Sequence, residues 1–465
     1  MTNQQQLSPT ILVIFGITGD LSHRYLLPAL YHLFRDGHFH EQTEVVGISR
    51  RSMTAQDLLN GVDLSGGDGD ANNINQDDVS KLQDHIRMFE MDPVKPEDYL
   101  RLHDLLDQIE TEKGICMNRL YYLSIPPQVY DPIITQMGNA KLNTSCAHGE
   151  AMTRLLVEKP FGYDLVSAQA LITDTAQVFG EDQIYRIDHY LAKDTVQNIL
   201  LFRFANPMFE ALWNRDHIDS IEISASEQLT IEGRAQFYEP IGALRDFIQS
   251  HLLQILAIIT MDEPEYLESE NIHQAKQITL EKVKAVPADQ VNTSTVRGQY
   301  KGYKQEVENP DSHTETFAGI RVQINTERWQ DVPFIIWTGK ALSEKKTEIS
   351  IHFKGGSEQP NYLRFRIQPN EGIELDLVTK KPGFDETLQP VVMDFSYQQN
   401  FNNAYERVLV DAVRGDHTLF ATSVEVLAAW RIVQSVIDEW SKNSDSLIEY
   451  EPGTRGQDLI QKLYE

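Results

Sequence analysis

The feature that most constrains the fold is a short apolar run followed at once by a glycine turn. Residues Ile11 to Phe15 read Ile-Leu-Val-Ile-Phe, and Gly16-Ile-Thr-Gly-Asp20 comes directly after them. An uninterrupted apolar run of this kind is typical of a parallel strand that is covered on both faces. A helix is predicted next, from Leu21 to Phe34. Strand, tight turn and helix in this order begin a βαβ unit, so the N-terminal part is predicted to be α/β.

Three further apolar segments predict that this unit continues as a parallel sheet. They are separated by helical patterns and lie at residues 44–48, 118–125 and 154–157. Strands that alternate with helices favour a doubly wound sheet with helices on both faces. We therefore predict a Rossmann-like, dinucleotide-binding domain over residues 1–190.

The second half of the chain has a different periodicity. Apolar and polar side chains alternate at residues 320–324, 363–368 and 373–377. Alternation with a period of two is typical of antiparallel strands that have one face on a core. Helices are predicted at residues 404–413 and 423–440. Residues 191–465 are therefore predicted to form an α+β domain with a large, mainly antiparallel sheet, used for substrate binding and oligomerisation.

Composition limits the partners that the chain can have. With 41 basic and 69 acidic residues among 465, the net charge is −28, which disfavours binding to nucleic acid and to anionic membranes. No apolar run approaches the roughly 20 residues that cross a bilayer. The two cysteines have no metal-ligand spacing, so we expect a cytoplasmic protein without a metal. An anionic ligand would need a locally basic pocket.

Two neighbouring strand ends predict a coenzyme site. Gly16 and Gly19 lie between the first strand and its helix, where small residues let the backbone approach a pyrophosphate. This spacing keeps only part of the dinucleotide-binding pattern, and tight turns without a nucleotide are common. The second strand is followed by Arg50 and Arg51. A guanidinium attracts the 2′-phosphate that an acidic residue would repel, so NADP is favoured over NAD; the alternative is a solvated basic turn.

A segment rich in polar side chains predicts an anion site. Asp188, His189 and Tyr190 are followed closely by Lys193. If this stretch is helical, His189 and Lys193 share a face. A phosphate above that face would receive one point charge and two hydrogen bonds. The alternative is a solvated helix start with a buried tyrosine.

A histidine in an apolar helical pattern is the candidate catalytic base. His251 follows Arg245 and Asp246 in a run of helix-forming residues, where a core or capping histidine is the alternative. Oxidation of an alcohol by hydride transfer needs a base for the hydroxyl proton. A carboxylate that pairs with an imidazole favours its protonated form, and Asp188 is a candidate for that pairing.

Lysines that follow predicted strands add positive charge. Lys159 precedes Pro160 at a strand end, and ligands of open α/β sheets bind at this edge. Lys340, Lys345 and Lys346 follow another strand. A charged surface loop would have the same composition.

In their order along the chain, these segments resemble the glucose-6-phosphate dehydrogenase family over nearly the whole length. The matching runs are GITGDLSHR, LYYLSIPP, VEKPFG, QIYRIDHYLAKDTVQN, ALRDFIQSHLLQ, ERWQDVPFIIWTGKAL, RIQPNEG and NAYERVLVDAV. The resemblance implies oxidation of the C1 hydroxyl of β-glucose 6-phosphate to 6-phosphogluconolactone, the first step of the oxidative pentose phosphate pathway. It also implies NADP as coenzyme, with NAD as a secondary one, and homodimers or homotetramers.

The resemblance also implies roles for individual residues. His251 matches the general base and Asp188 the carboxylate that pairs with it. The phosphate grip is matched by His189, Tyr190, Lys193 and Lys345. Residues that hold the sugar are matched by Lys159, Glu227, Asp246 and Lys340, with Lys159 also near the nicotinamide. The coenzyme site is matched by Gly16, Thr18, Gly19 and Arg50.

Two departures from the family keep alternatives open. Tyr25 stands where the family has a lysine between coenzyme and substrate, and residues 234–242 differ from the usual form next to Asp246. A related hexose or hexose-phosphate dehydrogenase with another substrate or an NAD preference is therefore one alternative. A catalytically weak paralogue that binds nucleotide and serves as a regulatory or scaffold subunit is another, although such a protein would not need a base such as His251.

Overall fold

The chain folds into two compact units. A computed structural model describes residues 7–65, 74–146, 151–355, 361–384, 386–397, 403–442 and 445–465. Unit 1 contains residues 1–162, 166–192 and 401–423, and unit 2 contains residues 163–165, 193–400 and 424–465. The predicted division after residue 190 falls close to the boundary after residue 192. The sequence division places residues 403–423 in the second domain, whereas these residues pack in unit 1.

Unit 1 is built on a parallel sheet. Its strands, numbered along the chain, are β1 (Thr10–Phe15), β2 (Glu44–Ser49), β3 (Ile86–Glu90), β4 (Asn118–Leu123), β5 (Thr153–Val157) and β6 (Ile184–Ile187). Among the described residues the strand order is β6-β5-β4-β1-β2-β3, and each neighbouring pair is parallel. The short strand β16 (Phe420–Ala421) pairs antiparallel with β6.

Helices cover both faces of this sheet. The first helical segment begins as a π-helix, Ser22–Leu26, and continues as α1 (Leu27–Arg35). The other α-helices of unit 1 are α2 (Ala55–Leu59), α3 (Gln76–Asp84), α4 (Pro96–Lys113), α5 (Tyr130–Asn139), α6 (Leu165–Ala176) and α14 (Ala404–Arg414).

Alternate residues of β1 enter two different cores. Leu12 and Ile14 belong to the core that includes residues of α1 and α14, whereas Val13 and Phe15 belong to the core with α4 and α5. A strand buried on both faces has no polar positions, which is why its sequence is apolar throughout. The predicted doubly wound sheet is confirmed. The chain returns to unit 1 late in the sequence, and there Val408 and Leu409 of α14 pack into one of these cores.

Unit 2 is built on a large mixed sheet. Its strands are β7 (Ile218–Ser226), β8 (Val283–Lys284), β9 (Thr295–Tyr300), β10 (Phe317–Ile324), β11 (Phe334–Gly339), β12 (Lys346–Phe353), β13 (Tyr362–Gln368), β14 (Gly372–Lys380), β15 (Leu388–Ser396) and β17 (Leu447–Tyr450). The described order is β15-β14-β13-β12-β7-β11-β10-β9-β17, with β8 beside β10. The β7–β11 and β9–β17 pairs are parallel, and the other described pairs are antiparallel.

The helices of unit 2 include a second π-helix, Leu244–Leu252, that leads into α10 (Leu253–Thr260). The others are α7 (Asp194–Phe204), α8 (Pro207–Glu210), α9 (Ala235–Tyr238), α11 (Ser269–Lys282), α12 (Val291–Ser294), α13 (Tyr303–Glu306), α15 (Ser423–Lys442) and α16 (Gly456–Leu459). The predicted alternation is confirmed in β10 and β13, whereas residues 373–377 on β14 are all partly exposed and do not alternate in burial.

The two cysteines are bonded to each other. Cys116, just before β4, forms a disulfide with Cys146, after α5. Disulfides are rare in reducing compartments, so this bond differs from what we expected from the low cysteine content. Across the described ranges, the helices are too short or too polar to cross a bilayer, and those ranges contain no cluster of three or more side chains suited to a metal ion.

Candidate functional site

The carboxyl edge of the unit 1 sheet collects most of the predicted coenzyme residues. β1 pairs with β2 on one side and β4 on the other, so the connections after these strands leave in opposite directions. In open α/β sheets the ligand crevice lies at such a point, outside the carboxyl ends of the strands. Gly16 follows β1 and Arg50 follows β2, while Lys159 follows β5 and Asp188 follows β6.

The turn after β1 is held by two hydrogen bonds to the Gly16 carbonyl, one from the backbone and one from a side chain. Gly16 has φ +79°, and its carbonyl accepts bonds from the Gly19 amide at 2.9 Å and the Ser22 hydroxyl at 3.1 Å. A Cβ at Gly16 would lie 2.3 Å from the carbonyl oxygen of Ser124, which follows β4. Thr18 and Arg50 are exposed around this turn. The backbone and the free surface around it fit a nucleotide phosphate.

The segment after β6 is a turn, and the helical face considered for it does not form. The backbone amide of Tyr190 donates to Oδ1 of Asp188 at 2.9 Å, and the α-helix starts only at Asp194. Asp188 and Tyr190 are buried, and the His189 and Tyr190 rings lie 5.0 Å apart. Lys193 belongs to unit 2.

Lys193 lies beside residues of the large sheet. Its Nζ donates to Oε1 of Gln368 at the end of β13, and the Gln368 amide donates to Oγ1 of Thr347 at 3.2 Å. Thr347 lies on β12, two residues after the exposed Lys345. Two of the predicted phosphate-binding lysines are therefore close to one strand pair. Gln368 lies in the matching run RIQPNEG, but no pattern in the sequence marks it as a partner of Lys193.

Three of the predicted sugar-binding residues surround one tyrosine. Lys340 and Glu227 follow the parallel strands β11 and β7, and the Lys340 ammonium forms an ion pair with the Glu227 carboxylate. The same ammonium lies 5.3 Å from the ring centre of Tyr238. Burial first, then the charges of Asp246 and Glu315, and to a smaller extent that of Glu227, raise the pKa of Tyr238 well above its usual value. Tyr238 lies in the unusual 234–242 stretch, and the sequence reasoning did not identify it.

The candidate base lies on the π-helix Leu244–Leu252. His251 is 1% exposed, and its ring meets that of Phe247 edge to face at 5.3 Å. In a π-helix the backbone bonds join residues five apart, so Asp246 and His251 lie one turn apart. Oε1 of Glu315 accepts the Leu244 amide at 3.0 Å, which holds the start of this helix.

Glu158 is a further titratable group at the coenzyme edge. It is 8% exposed, and its Oε1 accepts the Tyr122 hydroxyl at 2.5 Å. Burial raises the pKa of Glu158 to about 7, although the hydrogen bond from Tyr122 and the charge of Lys159 oppose this rise. In the sequence, only its position directly before Lys159 indicates that Glu158 lies near the coenzyme edge.

Tyr25, at the position of the family lysine, belongs to an aromatic pair. Its ring stacks on that of Tyr405 at 5.1 Å with an angle of 15°, and the Arg24 guanidinium lies 5.6 Å from the Tyr25 ring. At this position of unit 1 the protein therefore has the aromatic phenol of Tyr25 and not the ammonium group of a lysine.

Comparison with known proteins assigns both units to one family. The model of the glucose-6-phosphate dehydrogenase NAD binding domain matches residues 13–198, and that of the C-terminal domain matches residues 200–465. The chain belongs to the glucose-6-phosphate dehydrogenase family. The glucose-6-phosphate 1-dehydrogenase of Bacillus subtilis is 38% identical, with 99% of this chain and 98% of that protein covered. The enzyme of Caenorhabditis elegans is 36% identical, with 98% and 91% covered.

Solved structures of the family have the same fold. A glucose-6-phosphate dehydrogenase in complex with its substrate glucose 6-phosphate superposes with a TM-score of 0.89 at 32% identity, covering 99% of this chain and 98% of that one. The enzyme from Mycobacterium avium gives a TM-score of 0.83 at 31% identity, covering 98% and 97%. The resemblance read from the sequence is confirmed at the level of the family.

Replacing Gly16 by alanine tests the close approach of β1 and β4. Both Gly16 and the exposed Gly37 have positive φ, but a Cβ at Gly37 meets no atom within 4 Å. Gly37→Ala should cost about 1 kcal/mol of unfolding free energy, and Gly16→Ala about 1–3 kcal/mol more, with weaker coenzyme binding. Urea unfolding and coenzyme titration measure both effects. Equal costs for the two variants would contradict the contact with Ser124.

Proposed function

We propose that this protein oxidises the C1 hydroxyl of β-glucose 6-phosphate to 6-phosphogluconolactone and transfers the hydride to NADP. The observation that carries the proposal is the family match over both units and nearly the entire length. The same reaction opens the oxidative pentose phosphate pathway. Bound NADP would supply the hydride acceptor.

His251 is assigned as the general base that takes the C1 hydroxyl proton. Its burial on a π-helix supports this role, because a shielded imidazole is held in one orientation and water is excluded from it. Asp188 is assigned as the carboxylate that stabilises the imidazolium. Its fixed turn, with Oδ1 bound to the Tyr190 amide, supports an orienting role.

The sugar phosphate is assigned to two groups of side chains. Lys159, Glu227, Asp246 and Lys340 hold the sugar, supported by the Glu227–Lys340 ion pair. His189, Tyr190, Lys193 and Lys345 hold the phosphate, supported by the position of Lys193 beside Gln368. A phosphate anchored at C6 fixes the position of C1 and lowers the entropic part of the barrier.

The coenzyme is assigned to the turn after β1 and to the end of β2. Gly16, Thr18 and Gly19 lie where the backbone can approach the pyrophosphate, and Lys159 lies at the same sheet edge. The exposed guanidinium of Arg50 supports NADP over NAD, because it suits a 2′-phosphate.

Tyr25 favours one alternative, a related hexose or hexose-phosphate dehydrogenase with altered substrate or NAD preference. Its phenol, stacked on Tyr405, cannot supply the positive charge of the family lysine. An anionic substrate or coenzyme therefore loses one attractive charge at this position.

Steady-state rates with glucose 6-phosphate and with glucose test the reaction and its residues. His251→Asn should lower kcat by about 10²- to 10⁴-fold with little change in KM, since base catalysis acts in the transition state.

Lys193→Ala should raise KM for glucose 6-phosphate about tenfold or more through loss of a charged hydrogen bond. Lys301→Ala, which removes an exposed lysine paired with Glu451, is the control. Equal kcat/KM for glucose and its 6-phosphate would exclude the phosphate grip.

Arg50→Ala tests the choice of coenzyme. It should lower kcat/KM for NADP about 10- to 100-fold and leave NAD nearly unchanged, because only NADP carries the 2′-phosphate. Arg35→Ala is a suitable control, since Arg35 is a partly exposed arginine of unit 1 that pairs with Asp36. A parallel loss with both coenzymes would remove Arg50 from the 2′-phosphate site.

We propose that unit 2 associates with a second copy through the apolar face of β14 and β15. Ile373 pairs with Phe395 and Leu375 pairs with Met393. These side chains continue the apolar face of β13 across β14 and β15 to the edge of the sheet. Met393 is 62% and Phe395 is 56% exposed, and a copy related by two-fold symmetry would present the same apolar stripe.

Charges on this face should break the assembly. The double variant Met393→Glu, Phe395→Glu should weaken association at least tenfold, because two apolar side chains no longer bury their area. Sedimentation velocity measures the change. Val94→Glu, at an isolated exposed apolar residue that is 84% accessible, should leave the mass unchanged. If the double variant sediments as an assembly of the same mass as the wild-type protein, this face is not the interface.

A cytoplasmic location is part of the proposal. Phosphorylated sugars and coenzymes stay within a membrane-bounded compartment, because ions enter hydrocarbon at high cost. The Cys116–Cys146 disulfide would then belong to the redox-responsive bonds that occur in reducing compartments.

A further inference from the structure

Glu158 occupies a position from which its charge reaches the coenzyme edge. It follows β5, which lies between β4 and β6, and it directly precedes Lys159. The β1–β4 junction, where the strand order reverses, is one strand away. Because the side chain is buried, its charge is screened less by water than a surface charge would be.

The surroundings of Glu158 come from four neighbouring segments. Tyr122 on β4 donates to its carboxylate at 2.5 Å. The hydroxyl of Tyr130, at the start of α5, donates to its backbone carbonyl at 3.1 Å and accepts its backbone amide at 3.2 Å. Asp188, after β6, and Tyr405, on α14, also interact electrostatically with the Glu158 carboxylate.

These neighbours leave Glu158 as a group that changes charge near neutral pH. Burial raises the pKa of each of the three phenols above its usual value, so they stay neutral in this range. Burial and the charge of Asp188 raise the pKa of Glu158, while Tyr122 and Lys159 lower it, and the result is about 7. Above this value the edge beside Lys159 carries one more negative charge.

We propose that Glu158 is a positioning residue that couples coenzyme preference to pH, favouring the oxidised over the reduced coenzyme when it is ionised. This inference rests on the proposed function, in which Lys159 lies at the coenzyme edge, and on the family resemblance, which implies that Lys159 is near the nicotinamide. NADP and NADPH carry the same phosphates, but only the oxidised nicotinamide ring is positively charged. An ionised carboxylate near the ring therefore stabilises NADP more than NADPH, and binding of NADP drives the Glu158 proton into solvent.

The ratio of the two dissociation constants, Kd for NADPH over Kd for NADP, isolates this effect. Both coenzymes carry a 2′-phosphate that titrates near pH 6, and its contribution cancels in the ratio. Titrations without sugar from pH 6 to 8.5 should show the ratio rising about three- to tenfold, with a midpoint near 7, as expected for two unit charges about 10 Å apart or more.

Two substitutions assign the midpoint to Glu158. Glu158→Gln should make the ratio independent of pH, since the amide does not ionise. Tyr122→Phe should move the midpoint to higher pH, because the hydrogen bond that favours the carboxylate is lost. Glu44→Gln is the matched control: Glu44 is 4% exposed but lies at the amino end of β2, on the other edge of the sheet.

A ratio that does not change with pH in the wild-type protein would overturn the proposal, as would a dependence that survives Glu158→Gln. If Glu158→Gln does not fold, the midpoint in Tyr122→Phe decides: an upward shift supports the proposal and an unchanged midpoint overturns it. Because these titrations need only coenzyme, they remain separate from the proposed activity, which fails if glucose 6-phosphate gives no NADP reduction.

Discussion

The pairing of β1 with β2 on one side and β4 on the other is the constraint on which the coenzyme edge depends. Two parallel neighbours force the connections after β1 and β4 to separate, and the carboxyl ends stay open between them. Gly16 permits this because its missing side chain lets β1 approach Ser124. Residues from four strand ends then share one edge, although they are distant in the sequence.

Binding of an anionic ligand runs against the net charge of the chain. The chain carries a net charge of −28, so anionic ligands depend on cations placed by the fold. Lys159 follows β5, while in unit 2 Lys340 is paired with Glu227 and Lys193 is held by Gln368. Because these pairs already hold the ammonium groups in position, little side-chain entropy is lost when a ligand binds to them.

The sequence predicts most of the elements, but it does not predict the local geometry of two helical segments. The spacing of polar residues from Asp188 to Lys193 is compatible with a helical face, but the Asp188 side chain accepts the Tyr190 amide and the segment forms a turn. The sequence predicts the helix around His251, but it does not predict the π-form, which places Asp246 and His251 one turn apart. Periodicity in sequence shows which residues are apolar, and it does not report the backbone hydrogen bonds that set the helix type.

The sequence by itself determined the parallel sheet, the alternating strands and the residues that follow each strand, because these depend on local periodicity and turn chemistry. It also carried enough matching runs to identify the family. Only the tertiary structure decided that Tyr238 lies among Glu227, Asp246 and Lys340, and that Gln368 holds Lys193. It also decided that Glu158 is buried, that it accepts the Tyr122 hydroxyl, and that burial raises the pKa of this carboxyl to about 7. Burial and long-range hydrogen bonds follow from strand order, which no local pattern in the sequence records.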